Sequence, residues 1–372
     1  MSRQPAVPHS ALWAHASDRA DIADNRRVMI WLFVVAALVF VMVIVGGATR
    51  LTDSGLSITE WRPVTGVLPP LTEAQWQVEF EKYRQIPQYQ LVNRGMSLAD
   101  FQVIFWWEWA HRLLGRVIGA AMLLPWLFFV ATGVLRGRMA VITFSIGLMI
   151  AFQGLVGWLM VASGLKPGMT AVAPLKLMFH LTLACLIFAC LIATALSLRP
   201  ARARAPLPGV VKIGGIAVGV ALIAQIMLGA LVAGNDAGLR YNDWPLMEGY
   251  IVPPAAHLFD KPSVIEAFFD SIALTQFNHR LGAYALLALT LWHAWRASGT
   301  AAQTGARVLA GLMIAQAVIG IITLMWVVPL AAGLLHQAFA LVVLGHAVSH
   351  GHSLMTSPTE ERLAEGVPLA AE

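Results

Sequence analysis

The sequence predicts an all-α polytopic membrane protein, with eight transmembrane helices arranged as two pseudo-symmetric four-helix bundles. Three observations predict it. Of the 372 residues, 58% are hydrophobic and only 12% charged, against about 25% charged in an ordinary soluble domain. The apolar residues are gathered into runs long enough to cross a bilayer, which takes about 20 residues of helix. The second half of the chain also repeats the polar motifs of the first half in the same order.

Taken in order, residues 1–27 are polar and read as an N-terminal tail ending in Asn25-Arg26-Arg27. No short apolar core with a small-residue cleavage site follows, so the first run reads as a retained anchor. Apolar segments are expected over 28–48, 103–131, 139–162 and 172–198, then over 211–233, 272–296, 304–326 and 331–350. Between the fourth and fifth lies a basic, proline-containing stretch, 199–210, with Arg199, Arg202, Arg204, Pro200, Pro206 and Pro208, which reads as a linker. The division is thus a tail (1–27), a first half (28–198), a linker (199–210), a second half (211–350) and a C-terminal tail (351–372).

Arginines and lysines flank alternate ends of these segments: Arg26 and Arg27, Arg136 and Arg138, the linker, and Arg296 with Arg307. Positive residues remain on the cytoplasmic side, so both termini are expected there, in a cell inner membrane. The loops 49–102 and 234–271 are then on the periplasmic side. The net charge of +5 is spread beside apolar segments instead of forming one patch, which excludes a nucleic-acid partner and points to membrane lipid. Cys185 and Cys190 lie inside one apolar run and read as small core residues, with no disulfide framework.

Within the first long loop, Thr72-Glu73-Ala74-Gln75-Trp76 has the form of a capped helix start, continuing to Tyr83 with Pro87 beyond it. Ser97 and Asp100 form a second such start, for the helix that carries Trp106, Trp107 and Trp109. Those tryptophans read as an interfacial belt, or as packing against a porphyrin edge.

The repeat is specific. Asp53-Ser54-Gly55-Leu56 matches Asp236-Ala237-Gly238-Leu239 at an offset of 183. His111-Arg112-Leu113 matches His279-Arg280-Leu281 at 168. Gln153 and Gly157 match Gln316 and Gly320 at 163, and His180 matches His336 at 156. A four-helix unit repeated in tandem has a pseudo-two-fold axis along the membrane normal.

His111, His180, His279 and His336 fall near the starts of the second, fourth, sixth and eighth segments, which begin on the same side of the membrane. An ionisable residue at that depth is costly and faces the bundle interior. Two inward imidazoles can clamp one heme iron, and a bundle core is the usual place for such a site. Zinc fits less well, because no third or fourth ligand is evident. His293, His346 and His350, toward the other ends of the helices, have no counterparts in the first half and are weaker candidates. Glu108 lies one turn before His111 on the same helix face, whereas the repeat places Gln276 before His279. A carboxylate in one half and an amide in the other divide the sites into a reacting one and a supporting one, unless Glu108 is simply satisfied by Arg112. Arg112 and Arg280 are candidates for pairing with heme propionates, or for reaching out to the interface.

Glu108-Trp109-Ala110-His111-Arg112, Phe179-His180, Asn278-His279-Arg280, Leu335-His336-Gln337 and the loop from Gly46 to Ser57 resemble the blocks of the heme A synthase family over residues 28–350. The absence of outer-loop cysteine pairs is similar to its alphaproteobacterial and mitochondrial branch. The resemblance implies oxidation of a methyl group of heme O to a formyl group by successive hydroxylations, with water as oxygen source, giving heme A for cytochrome c oxidase. It implies heme b at His279 and His336 in the C-terminal half. It places heme O, and heme A as product, with His111, His180 and the catalytic Glu108 in the N-terminal half. Heme O synthase as substrate donor, an unidentified electron acceptor and cytochrome c oxidase assembly factors are the implied partners. The oligomeric state is left open, a homo-oligomer included. Two alternatives compete: a diheme b-type electron-transfer protein, for which four ligands on one side are a poor arrangement, and a heme transporter or chaperone, which gives no reason for an acid in one site only.

Overall fold

The computed structural model describes residues 9–200 and 204–360. Residues 1–8, Arg202 of the expected linker and residues 361–372 of the expected C-terminal tail lie outside them. Regular structure among the described residues is helical, apart from two isolated bridges, Leu207 with Thr359 and Met247 with Tyr250. The long helices are α1 (His9–Leu51), α4 (Leu98–Ala131), α5 (Gly137–Gly164), α6 (Pro174–Ser197), α7 (Gly209–Gly234), α10 (Ile272–Arg296), α11 (Gln303–Met325) and α12 (Leu330–Met355). Short helices occupy the two long loops: α2 (Glu73–Arg84) and α3 (Pro87–Leu91) in the first, α8 (Ala255–Leu258) and α9 (Val264–Asp270) in the second.

Each predicted apolar segment falls within or close to one long helix, with α1 starting 19 residues before its predicted segment, but the count of membrane spans differs. Seven helices are long and apolar enough to cross a membrane: α1 over Ala23–Leu51, α4, α5, α6, α7, α11 and α12. The sixth predicted segment, α10, has 25 residues but is diluted by Gln276, Asn278, His279 and Arg280 in its first turns and by His293 and Arg296 in its last. Those same polar residues carry most of the second half's candidate chemistry, so function explains the departure from a plain apolar span. The expected N-terminal tail is helical from His9, and α12 continues to Met355, five residues into the expected C-terminal tail.

The caps read from the sequence are present. Thr72 accepts from the Gln75 amide and Gln75 returns the bond to Thr72, while Ser97 and Asp100 do the same at the head of α4. Pro87 lies beyond the end of α2 and opens α3, where its missing N–H costs nothing.

Helix α1 packs on α4, α4 on α5, α5 on α6, and α6 back on α1. In the second half α7 packs on α10, α10 on α11, α11 on α12, and α12 back on α7. The two rings meet through α1, α6, α7 and α12, and the main core lies along that seam, with Leu32, Val35, Leu191, Val218 and Leu341 buried. The linker is tied to the end of α12: Leu207 donates to the Pro358 carbonyl, Lys212 to that of Ser357 and Arg204 to that of Ser353. A second core lies under α2, where Tyr83, Phe80, Phe101 and Phe105 pack together. Trp76 joins Phe105 at 4.9 Å and Trp106 at 5.7 Å, and Trp106 meets Trp109 at 5.3 Å. Trp106 and Trp109 thus hold the loop helix to α4.

Candidate functional site

Each of the four histidines rests on a glycine of an adjacent helix. A Cβ added to Gly46 of α1 would come within 2.8 Å of His111 Cε1, and one on Gly157 of α5 within 2.9 Å of His180 Cε1. In the second half, Gly229 of α7 would approach His279 Cε1 to 3.0 Å and Gly320 of α11 would approach His336 Cε1 to 2.7 Å. Each glycine is therefore a recess that only a missing side chain provides. His180 lies within electrostatic range of His111, as His336 does of His279, so each ring of four helices brings together its own pair.

Glutamines back three of the four rings. Gln153 Nε2 donates to the His180 carbonyl at 2.9 Å, Gln225 Nε2 to that of His279 at 2.8 Å and Gln316 Nε2 to that of His336 at 3.0 Å. The same nitrogen lies 3.4 Å from His180 Nε2, 2.9 Å from His279 Nδ1 and 3.3 Å from His336 Nδ1. The glutamines thus meet the Nδ1 edges of His279 and His336 in the second half and the Nε2 edge of His180 in the first. Nδ1 of His111 and Nδ1 of His180 are both buried with no hydrogen-bond partner among the described residues, and no glutamine meets the His111 ring. The repeat in the sequence marks Gln153, Gly157, Gln316 and Gly320. Gln225, Gly229 and Gly46 were missed there, although the loop offset of 183 also relates Gly46 to Gly229.

Glu108, only 3% exposed, has both oxygens engaged. Oε2 accepts from Ser57 Oγ at 2.8 Å and from the Ile58 amide at 2.7 Å; Oε1 accepts from Arg112 Nε at 3.0 Å and Nη2 at 2.6 Å. Arg112 also donates to the carbonyls of Ile58 and Glu60. Gln276 occupies the same place in the second half with the opposite sense. Its Nε2 donates to the carbonyls of Ala237 and Arg240 at 2.7 and 2.8 Å, and its Oε1 accepts from Arg280 at 2.8 Å. Arg280 further donates to the carbonyls of Tyr241 and Leu246, while its Nε is buried without a partner among the described residues. Both arginines are thus spent largely on pinning an outer loop to a helix, a role that sequence reasoning did not foresee. Four donors on one carboxylate fix its orientation, so Glu108 is held in place more readily than free to swing as a mobile base.

The outer loops touch each other through Arg50, which reaches Asp53 at 3.1 Å and Asp236 at 2.6 Å. Asp53 and Asp236, matched in the repeat, both take the left-handed backbone conformation. His293 and His350, at the other ends of α10 and α12, form a buried pair with Nε2 atoms 2.9 Å apart. They lie on different helices without a repeat partner, so nothing in the sequence pairs them. Two imidazoles spanning one iron stand about 4 Å apart, roughly twice a metal–nitrogen bond of about 2 Å, so as they stand these two bond to each other.

Two imidazoles per four-helix ring, each in a glycine recess, suit iron in a flat macrocycle better than a small multidentate ion. No cluster of three or more His, Cys, Asp or Glu suited to a metal ion occurs among the described residues. The comparisons with known proteins agree. The model of the cytochrome oxidase assembly protein family matches residues 29–348. A heme A synthase of Methylorubrum extorquens is 53% identical over 93% of this chain and 89% of its own. The chain belongs to the heme A synthase family. The heme A synthases of a Methylobacterium species, at 55% identity over 91% of this chain and 94% of its own, and of Parvibaculum lavamentivorans, at 51% over 91% and 97%, align as fully. Family membership and the long apolar helices make this a multi-pass membrane protein.

Proposed function

We propose that this chain oxidises one methyl group of heme O to a formyl group, giving heme A for cytochrome c oxidase. The substrate porphyrin lies between His111 and His180, and heme b between His279 and His336. In this reading α10 is the eighth span, the two rings of helices are pseudo-symmetric bundles (28–198 and 211–350), and residues 1–27 and 351–372 with the linker 199–210 are cytoplasmic. The heme sites then face the periplasmic side of the inner membrane. Heme O synthase supplies the substrate, oxidase assembly factors take the product, and an external electron acceptor completes the cycle.

With water as oxygen source, each hydroxylation releases two electrons and two protons. The first gives an alcohol and the second a gem-diol, which loses water to become the aldehyde. Heme b supplies an electron-accepting iron when bound. His279 and His336 would hold it, with their rings steadied by Gln225 and Gln316. His111 and His180 hold the substrate. Glu108 supplies a fixed negative charge beside the first site, where carbon loses electrons, and preorganised charge of this kind is a large term in catalysis. Ser57, the Ile58 amide and Arg112 keep that carboxylate in place. Arg112 and Arg280 would be the cations nearest to the propionates, and the unpartnered Nε of Arg280 suits such a contact.

The observation that carries this reading is the exchange of Glu108 for Gln276 at matched positions. Glu108→Gln and Glu108→Ala should leave heme bound while heme A formation falls by about 100-fold or more, in line with losing a preorganised charge. Pigments extracted from cells co-expressing heme O synthase decide it, and normal heme A in either variant removes Glu108 from the chemistry.

A further inference from the structure

The backing of the four imidazoles is not uniform, and the break in the pattern falls in the substrate half. Gln225, Gln316 and Gln153 each grip one histidine twice, at its backbone carbonyl and at its ring edge. Such a contact limits the rotation of the ring about its helix, and losing an outer-shell partner of a ligand imidazole typically costs about 10–100-fold in metal affinity. In the second half Gln225 lies one turn before Gly229 on α7. The matching turn on α1, before Gly46, carries Met42. Gly46 contacts His111 just as Gly229 contacts His279, so the recess is kept and only the amide is lost. The Met42 methyl instead points toward Gly115 of α4, and neither the carbonyl nor the ring of His111 has the glutamine contact that the other three histidines have among the described residues.

We propose that Gln225, Gln316 and Gln153 are positioning residues for the ligand imidazoles, and that Met42 in place of a fourth glutamine makes His111 the releasable ligand, by which the first site exchanges its porphyrin. The inference rests on the ligand assignment above and adds a division of labour to it. A resident heme gains from two braced imidazoles. A substrate that must enter as heme O and leave as heme A gains from one braced imidazole, His180, and one that can let go. Thioether sulfur is at best a weak acceptor, so Met42 fills the space without holding the ring.

The test uses full-length protein purified from cells supplying heme O, with extracted heme A and heme b measured per protein and the low-spin signals recorded by electron paramagnetic resonance. Met42→Gln should retain severalfold more heme A than the natural protein and pass less of it on, whereas Met42→Leu should behave as the natural protein does. Gln225→Met, the reverse exchange, should lower heme b occupancy by about 10-fold and move its low-spin signal, and Gln225→Glu, which keeps a polar group at the ring edge, should restore occupancy. This second pair decides the matter if Met42→Gln does not accumulate. Unchanged heme A retention in a folded Met42→Gln, or an unmoved heme b signal in Gln225→Met, overturns the bracing. If His279→Ala also keeps heme b, the ligand assignment itself has failed and the bracing fails with it.

Discussion

At the head of α4 a carboxylate gathers four donors, two of them from an arginine; at the head of α10 an amide at the same place gives two hydrogen bonds to loop carbonyls and takes one from an arginine. The scaffolds agree: an outer loop folded back on a helix, pinned by a residue one turn before a histidine and by an arginine one turn later. The charges do not. Arg112 is neutralised by Glu108, whereas the partners of Arg280 are all neutral. The first half therefore presents a hydrogen-bonded ion pair beside its imidazoles, and the second an arginine bonded to neutral groups with the Asp243 carboxylate farther off. The two halves thus share a scaffold while the local field differs, and the proposed split between a reacting site and a cofactor site rests on that difference.

The comparison breaks most sharply at the imidazoles. His279→Ala or His336→Ala should remove essentially all of the low-spin b-type spectrum of purified protein, while His111→Ala should keep it and stop heme A formation. A full b-type spectrum in the His279/His336 double variant would reverse the assignment of the halves. Next in size is Gln276→Glu, which imposes the first half's chemistry on the second. The carbonyls of Ala237 and Arg240 would lose their donor and face a carboxylate, at a cost of about 1–3 kcal/mol for each buried group, partly offset by Arg280. The expected outcome is a lower melting temperature with heme b retained, and a variant as stable as the natural protein would mean that the loops are not held as described.

Smaller effects are expected from the recesses. Gly320→Ala should disturb the low-spin spectrum by pressing on His336, whereas Gly46→Ala, pressing on His111, should leave that spectrum alone and reduce heme A; identical spectral changes in both would erase the difference between the halves. Smallest is Arg50→Gln. It removes the ion pairs to Asp53 and Asp236, whose acids are well exposed, so about 0.2–1 kcal/mol is expected, visible as a slight fall in melting temperature that disappears in high salt.

Much of this arrangement is legible in the sequence because it rests on periodic or repeated signals. Long apolar runs give the helices, and Thr72 with Gln75 and Ser97 with Asp100 announce their own caps. The four histidines are found by duplication, and Gln153 and Gln316 come with them. What could not be read is what depends on a loop folding back: Ser57 and Ile58 meet Glu108 from about fifty positions away, and no pattern links them. His293 and His350 meet across two helices without any repeat to pair them.

One contact bears on how the molecule is made. Gln337 on α12 donates to the carbonyl of Val43 on α1 and fits against Gly47, joining residues 294 positions apart. Helix α1 precedes α12 along the chain, so the face of α1 that Gln337 covers stays open until α12 has been made, and that pairing is strongly non-local. While it is open, that face is available to lipid or to a chaperone.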